Sequence, residues 1–296
     1  MQLQLFRSLW GWQGDLGECA TQLREAGCSG VEARLPFDAP GRRALRGGLR
    51  AEALDYIATV FTGADVIPRQ QDGPAVHLQH LARALDGAAE LSPRFVNLLA
   101  GNDRWPLAAQ VDFLGQAQAL ADTAGITCTF ETHRASSLYS PWVTLDIVRQ
   151  LPHLRYTADI SHWVVVCERL LDDPADDFKP FTDRVHHVQA RVGYAQGPQV
   201  PDPAAPEYAK ELAFHQRMWE SIWLAHRAKG YAITTLTPEF GPDGYMHQLP
   251  YTRSPVADLW QVNRWMALEE RRHFERWSQQ LEASQQTPRP IPSAGI

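Results

Sequence analysis

Two β-rich runs flank one helical segment between residues 126 and 162, and this arrangement decides the fold. The first run is Ile126-Thr-Cys-Thr-Phe-Glu-Thr-His133, and the second is Arg155-Tyr-Thr-Ala-Asp-Ile-Ser-His162. Between them, residues 141–151 carry apolar side chains at helical spacing. A strand, a helix and a second strand in this order predict a βαβ unit, in which a crossover helix joins two parallel strands.

The same unit recurs along the whole chain, which has 296 residues. Each of eight β-rich runs precedes a segment with helical spacing, so we predict eight strand and helix pairs. That number in a chain of this length is typical of one closed (β/α)8 TIM barrel. The predicted strands cover residues 3–10, 30–35, 56–63, 95–101, 126–133, 155–162, 184–191 and 232–240. The predicted helices cover residues 15–26, 42–54, 75–91, 107–124, 141–151, 164–171, 207–229 and 255–281.

The main alternative is an open, doubly wound α/β sheet that binds a nucleotide. Such a sheet holds phosphates with a Gly-x-Gly-x-x-Gly or Gly-Lys-Ser/Thr loop, and neither motif follows any predicted strand. We therefore predict a single α/β barrel domain over residues 1–282 and a flexible tail over residues 283–296. The prolines within residues 193–206 predict a long loop after the seventh strand, on the catalytic face of the barrel.

Composition and charge exclude several classes of function. With 28 basic and 34 acidic residues, the formal net charge is -6, so we expect no nucleic-acid partner. The 4 cysteines include no Cys-x-x-Cys pair, which argues against disulfides and a structural zinc site. The motifs of serine hydrolases and zinc proteases are also missing. Because the sequence has no secretory signal and no membrane-spanning run, we expect a cytoplasmic protein.

Polar side chains stand at the ends of four successive predicted strands, where the active site of a barrel lies. Because side chains alternate along a strand, Glu131 and Gln189 face the barrel axis when Phe130 and Val188 face the helices. Three carboxylates need a positive charge among them, and a divalent cation is the simplest one. Oxygen ligands favour Mn²⁺ or Mg²⁺, with Co²⁺ and Zn²⁺ as alternatives. The predicted metal ligands are Glu131, Asp159, Gln189 and Glu239.

A simpler interpretation is that these residues are separate polar groups, each solvated or capping the helix that follows it. Their occurrence on four successive strands favours a shared site. Gln189 is the weakest ligand of the set, because a neutral amide binds a cation less strongly than a carboxylate or an imidazole does.

With these motifs the sequence resembles the xylose isomerase-like TIM barrels, a family of sugar phosphate isomerases and epimerases that also includes apurinic endonucleases. The resemblance covers essentially the whole barrel and implies metal-dependent sugar isomerase or epimerase activity. Many members have His where this chain has Gln189, whereas hydroxypyruvate isomerase-like members use a His-x-Gln with the Gln as ligand. The motifs are Glu131-Thr-His133, Asp159-Ile-Ser-His162, His187-Val-Gln189-Ala-Arg191 and Pro238-Glu239-Phe240.

The resemblance also implies roles for individual residues. Glu131 and Glu239 would be the catalytic pair that moves a proton at the carbon next to a carbonyl, through an enediolate that the metal stabilises. His162 and Arg191 would bind substrate oxygens. The residues expected to support them are His133 and His187, the latter with a structural role in the core as the alternative.

Tryptophans near the strand ends are candidates for the wall of a substrate cavity, because aromatic faces pack against sugar C–H groups. Trp10 follows the first strand and Trp105 follows the fourth. Trp12 and Trp163 lie close to the ends of the first and sixth strands. Core packing explains any single one of them equally well.

The predicted substrate is a small sugar, a sugar phosphate or a related hydroxy-carbonyl compound, and a homo-oligomer is left open. One alternative is a keto-sugar lyase or deglycosidase, because proton abstraction beside a keto group can also expel a β-substituent. A second is a non-catalytic sugar-binding barrel that has lost its metal through Gln189. An apurinic endonuclease is less favoured, since the chain is acidic and lacks further histidines at the strand ends.

Overall fold

The computed structural model describes residues 1–242 and 244–286 of the chain. Its strands form a closed barrel in chain order, with every neighbouring pair parallel and β1 paired to both β2 and β8. The predicted (β/α)8 barrel is therefore confirmed. The strands are β1 Gln2–Ser8, β2 Cys28–Arg34, β3 Asp55–Phe61, β4 Val96–Leu99, β5 Cys128–Glu131, β6 Tyr156–Ala158, β7 Val185–Gln189 and β8 Ile233–Thr237.

Helices follow the strands and cover the outside of the barrel. None of the helices that the structure describes is both long and apolar enough to cross a membrane. The last helix continues past the predicted domain end at residue 282, and residues 287–296 of the expected tail lie outside the described residues. The helices are α1 Leu16–Ala26, α2 Ala39–Ala51, α3 Pro74–Ala89, α4 Leu107–Ala124, α5 Pro141–Gln150, α6 Ser161–Cys167, α7 Lys179–Thr182, α8 Ala209–Ala228 and α9 Leu259–Gln286.

Local sequence explains where these elements begin and how they pack. Asp15 accepts a hydrogen bond from the backbone N–H of Glu18, whose side chain reaches back to Asp15, and this capping box starts α1. Phe130 and Val188 lie fully buried in the hydrophobic core shared with the helices. Burial of each such side chain contributes about 1.5–3 kcal/mol to folding. The alternation of β5 and β7 therefore turns apolar groups outward and polar groups inward.

The interior of the barrel has an apolar base. Phe6, Ile57 and Phe95 form a cluster separate from the main core. The ring of Phe95 lies 5.3 Å from that of His187, where the apolar base meets the polar side chains nearer the carboxyl ends of the strands. Layers of this kind fill a barrel of eight strands, so its chemistry is confined to the end where the strands stop.

Two boundaries differ from the prediction in ways that affect the site. The sixth strand was expected to reach His162, but β6 ends at Ala158 and α6 begins at Ser161, so His162 lies in the first turn of a helix. The predicted loop over residues 193–206 is irregular until a short 3-10 helix begins at Pro206. A single bridge, between Tyr194 and Gly197, interrupts it.

Candidate active site

Three carboxylates meet at the carboxyl ends of the strands. Glu131 is the last residue of β5, Asp159 directly follows β6, and Glu239 lies just beyond β8. One oxygen from each lies within 4.8 Å of the other two. Asp159 is fully buried and Glu131 nearly so, which leaves their repulsion poorly screened by water. The convergence predicted from the strand ends is present in the structure for these three residues.

Gln189, the fourth predicted ligand, ends β7 beside them. Its side-chain Nε2 donates hydrogen bonds to Glu239 Oε1 and to Glu32 Oε1, at 3.1 Å each. Its Oε1 is buried and has no hydrogen-bond partner. A carbonyl oxygen left bare in a buried site is costly unless a donor or a cation faces it. Gln189 therefore offers a free ligand atom next to the carboxylates.

Glu32 on β2 is a fourth buried carboxylate, which the sequence analysis missed. It is only 2% exposed and accepts hydrogen bonds from Gln189 Nε2, Asn97 Nδ2 and His187 Nε2 at 3.1, 3.2 and 3.1 Å. Its only signal in the sequence is an acidic residue between Val31 and Ala33 within a predicted strand rather than at the end of one. We call Glu32, Glu131, Asp159 and Glu239 the mouth cluster.

The acids of the mouth cluster differ in how readily they ionise. Burial, followed by the charges of Asp159 and Glu32, raises the pKa of Glu131 well above its ordinary value. Burial and the nearby charge of Glu131 likewise raise the pKa of Glu239. Burial would also raise the pKa of Glu32, but His187 and the hydrogen bonds to it outweigh burial and lower that pKa. Burial also raises the pKa of Asp159, against the opposing charge of Arg191. The site thus combines three carboxyls whose pKa is raised with one whose pKa is lowered.

Arg191 supplies positive charge to this cluster. Its Nη2 contacts Asp159 Oδ2, its Nε donates to Ser161 Oγ at 3.1 Å, and its Nη1 lies 3.9 Å from Glu239 Oε2. Burial would lower the pKa of Arg191, but the charges of Asp159 and Glu239 raise it. Because one guanidinium faces four carboxyl groups, full ionisation of the mouth cluster would leave it with excess negative charge.

Two imidazoles adjoin the guanidinium without adding charge. The rings of His133 and His162 lie 3.9 Å apart, and His162 Nε2 is 2.7 Å from Arg191 Nη2. Burial and the charge of Arg191 lower the pKa of His133 to about 3. Burial, His133 and Arg191 lower the pKa of His162 well below its ordinary value. Both rings are therefore neutral near pH 7 and can act as hydrogen-bonding groups or ligands.

A cavity of about 400 Å³ opens above the mouth cluster. Its apolar wall includes the rings of Trp10 and Tyr245, which meet edge to face at 4.9 Å. Gly241 leaves the space for Trp10, because a Cβ at that position would lie 2.1 Å from the indole ring. Tyr245, like Glu32, was not predicted. The cavity is also lined by Leu9, Glu32, Arg34, Phe61, Leu99, Glu131, His133, Arg191 and Glu239.

Comparison with known proteins identifies the family of this chain. A model of the family described as xylose isomerase-like TIM barrel matches residues 20–199, which is more than half of the chain. The chain belongs to this family. The resemblance inferred from the motifs at the strand ends is thereby confirmed.

Several solved structures share the fold of this xylose isomerase-like barrel. L-ribulose 3-epimerase has a TM-score of 0.64 at 14% identity, covering 98% of this chain and 99% of that one. A 3-keto-D-glucoside 4-epimerase from E. coli has a TM-score of 0.58 at 13% identity, with coverages of 92% and 99%. The IolI protein with a bound zinc atom has a TM-score of 0.59 at 11% identity, with coverages of 95% and 99%. At such identities the likeness shows the fold alone. No curated protein matches this chain significantly in sequence.

The donor atoms of this xylose isomerase-like barrel fit a divalent cation. Carboxylate oxygens and a bare amide oxygen are the ligands that Mn²⁺ and Mg²⁺ prefer. The bare Oε1 of Gln189 and the mutual repulsion of the carboxylates are both relieved by a positive ion. A second group with all ligand atoms within 4.8 Å, Glu131, His133 and His162, adds nitrogen ligands of the kind that zinc accepts.

The structure places the predicted substrate-binding residues in two layers. Arg191, His133 and Trp10 line the cavity. His162 and His187 are fully buried instead, and His187 supports Glu32 through its Nε2 while its Nδ1 meets Thr235 Oγ1 at 2.8 Å. His187, expected as a supporting residue, therefore contacts Glu32 from within the barrel.

Three of the four tryptophans expected in the cavity wall lie elsewhere. Trp105 packs against the rings of His77 and Phe113, at 4.8 and 5.1 Å. Trp12 stacks on the guanidinium of Arg7 at 4.6 Å, and Trp163 is fully buried. The prediction is corrected for these residues, because an aromatic ring near a strand end packs equally well against helices.

Proposed function

We propose that this xylose isomerase-like barrel is a divalent-metal-dependent isomerase or epimerase of a small sugar or related hydroxy-carbonyl compound. The observation that carries the proposal is the pair Glu131 and Glu239, whose carboxylate oxygens lie within 4.8 Å on the wall of one cavity. The pKa of each is raised by burial and by neighbouring carboxylates. A carboxyl group in such a position can take up and release a proton during a reaction. The two sugar epimerases that share the fold support the same class of reaction.

Four residues would hold the metal: Glu131, Asp159 and Glu239 through carboxylate oxygens, and Gln189 through Oε1. When bound, the ion stabilises the negative charge that develops on neighbouring substrate oxygens during proton removal. We propose Mn²⁺ or Mg²⁺ because all four donors are oxygens. The zinc atom bound by the IolI protein, which shares the fold, supports a metal in a barrel of this kind.

The side chains around the cavity would transfer the proton and bind the substrate. Glu131 and Glu239 come from β5 and β8, which are not adjacent, so a molecule between them meets a carboxyl group from two directions. Glu131 or Glu239 removes the proton next to the carbonyl, and the same or the other residue returns it to a carbon of the substrate. Arg191 donates hydrogen bonds to substrate oxygen. Trp10 and Tyr245 pack on the C–H face of the substrate and exclude water.

The test is solvent exchange at the carbon next to a carbonyl. The full chain, loaded with Mn²⁺, is incubated in D₂O with a panel of ketopentoses, ketohexoses and 3-keto-glucosides. We expect NMR to detect deuterium at the carbon beside the carbonyl of at least one sugar, together with its isomer or epimer. Glu131→Gln and Glu239→Gln should abolish both signals.

Two outcomes contradict this function. Absence of deuterium incorporation across the panel, with metal bound, would leave a sugar-binding barrel. Release of the β-substituent without a sugar isomer would indicate a lyase. Glu270→Gln serves as the control, because Glu270 is also a buried carboxylate but lies on α9, with its side chain against Gln216 of α8. This variant should retain exchange.

A further inference from the structure

A continuous series of hydrogen bonds crosses the barrel at the wall of the cavity, which Glu32 lines, and ends at the two candidate catalytic glutamates. On one side, Asn97 Nδ2 donates to Glu131 Oε2 at 2.6 Å and to Glu32 Oε1 at 3.2 Å. On the other side, Gln189 Nε2 donates to Glu239 Oε1 and to Glu32 Oε1, both at 3.1 Å. Glu32 is therefore the shared acceptor of two amides, and each amide reaches a different glutamate.

We propose that Glu32 is a positioning residue, which orients the amides of Asn97 and Gln189 so that Gln189 presents Oε1 as a metal ligand. The inference rests on the proposed function, since it concerns how the same site is held together. It gives Glu32 a role that the glutamates at the ends of β5 and β8 do not share.

The orientation follows from the donors and acceptors involved. A side-chain amide has two N–H donors on nitrogen and none on oxygen, so its nitrogen end faces two carboxylates favourably. If Gln189 flipped, its Oε1 would face Glu32 and Glu239, and two acceptors would repel it. The present orientation directs both donors to carboxylates and leaves Oε1 buried without a partner. Without Glu32, half of the reason for this orientation is lost.

Glu32 is itself held from the opposite side. Its Oε2 lies 3.1 Å from His187 Nε2, and the other ring nitrogen of His187 lies 2.8 Å from Thr235 Oγ1. Asn97 Oδ1 accepts a hydrogen bond of 3.4 Å from Thr129 Oγ1. These contacts come from strands on several sides of the barrel, so Glu32 cannot turn away without breaking them. A fixed acceptor is what the two amides need in order to be oriented.

A second account of Glu32 makes a different prediction. The carboxylate could simply attract the cation by its charge, from any position near the cluster. Glu32→Asp separates the two accounts, because it keeps the charge but withdraws the oxygens by one methylene. An attracting charge tolerates this change, whereas a bridge between two amides does not.

The experiment measures Mn²⁺ alone, by calorimetry and electron paramagnetic resonance, on full chain stripped with chelator. We expect Glu32→Gln and Glu32→Asp each to weaken Mn²⁺ binding by about 10- to 100-fold, the usual cost of losing a group that orients a ligand. Glu270→Gln, the matched buried carboxylate, should bind Mn²⁺ like the wild type. Each variant is checked for folding by circular dichroism. Should Glu32→Gln not fold, Asn97→Ala tests the hydrogen bonds between Asn97, Glu32 and Glu131 instead.

Glu32→Gln is also made in a Gln189→His protein, in order to test the orientation of the Gln189 amide separately. Gln189→His replaces the amide by an imidazole, which has no oxygen end to misdirect, so Glu32→Gln should cost less in that background than in the wild type. Equal losses in both backgrounds, or wild-type binding by Glu32→Asp, overturn the inference and leave the proposed function intact. Failure of the wild-type chain to bind Mn²⁺ overturns the metal-dependent function itself, and the inference with it.

Discussion

Two clusters of acidic residues in this barrel adjoin histidines, and the pKa values of those histidines are shifted in opposite directions. The mouth cluster faces the neutral imidazoles of His133 and His162. The second cluster, which we call the α8–α9 cluster, consists of Glu220, Glu270 and His273. His273 contacts Glu220 Oε1 at 2.8 Å and Glu270 Oε2 at 3.1 Å.

The position of the nearest charges explains the contrast. Arg191 lies beside His133 and His162 and, after burial, helps to lower the pKa of each. Burial would also lower the pKa of His273, but the hydrogen bonds to Glu220 and Glu270 raise it to about 9. The α8–α9 cluster therefore has one protonated imidazole for two carboxyl groups, and it joins two helices. The mouth cluster has one guanidinium for four carboxyl groups, and this larger shortage of positive charge is why it is suited to a cation.

The largest expected effect concerns proton transfer at the mouth. Glu131→Gln and Glu239→Gln should each lower the rate of deuterium exchange into a substrate sugar by about 10²- to 10⁴-fold, the usual contribution of a general acid or base. Glu270→Gln should leave the rate unchanged. The comparison breaks if the α8–α9 variant reduces exchange as much as the mouth variants do while remaining folded.

The next effect is on stability in the presence of metal. Mn²⁺ at about 100 times its Kd should raise the free energy of unfolding of the wild type by about 2.7 kcal/mol, because only the folded state has the site. Asp159→Asn should lose most of this gain, and Glu270→Gln should keep it. Urea unfolding with Mn²⁺ and with chelator measures the difference. An equal gain in Asp159→Asn would show that the ion binds elsewhere.

A smaller effect follows from removing one carboxylate of the α8–α9 cluster. Glu270→Gln replaces a charge-assisted hydrogen bond to His273 by a neutral one, and we expect a loss of about 1.5–3 kcal/mol. Urea unfolding with chelator present isolates this loss from metal binding. Unchanged stability would mean that Glu220 alone keeps His273 protonated and in place.

The smallest effect is the pH dependence that His273 contributes. Its pKa of about 9 in the folded chain lies above the unfolded value of about 6.5, so its stabilisation is complete below the unfolded value. It is lost as the pH rises through about 9. We expect a smaller loss than in Glu270→Gln, because the neutral imidazole can still donate a hydrogen bond to Glu270 and the contact with the partly exposed Glu220 is screened. Urea unfolding at several pH values should show this slope in the wild type and not in His273→Gln.

Much of the fold and part of the site were predictable because they follow from local periodicity. The alternation of β5 fixes that Glu131 faces inward once Phe130 faces the helices, and the same holds for Gln189 and Val188 on β7. The ends of parallel strands in a barrel lie together, so the convergence of the ligands needed no further information.

Other features required distances that no local pattern contains. Glu32 and Asn97 are 65 positions apart in the chain, yet their side chains are hydrogen-bonded inside the barrel. An acidic residue in an apolar strand has no visible partner in the sequence, so Glu32 was missed. Trp105 was misplaced because an aromatic ring beside a strand end packs well on either side of the loop that carries it.

The order of apolar and polar residues thus determined by itself that this chain forms a barrel and that its acidic groups gather at one end. The tertiary structure decided which amide orients which carboxylate, and which histidines carry a proton. The physical reason is the separation along the chain of the residues that interact. Side-chain alternation depends on neighbours within one strand, whereas burial and Coulomb forces depend on groups that only the closed barrel brings within a few ångströms.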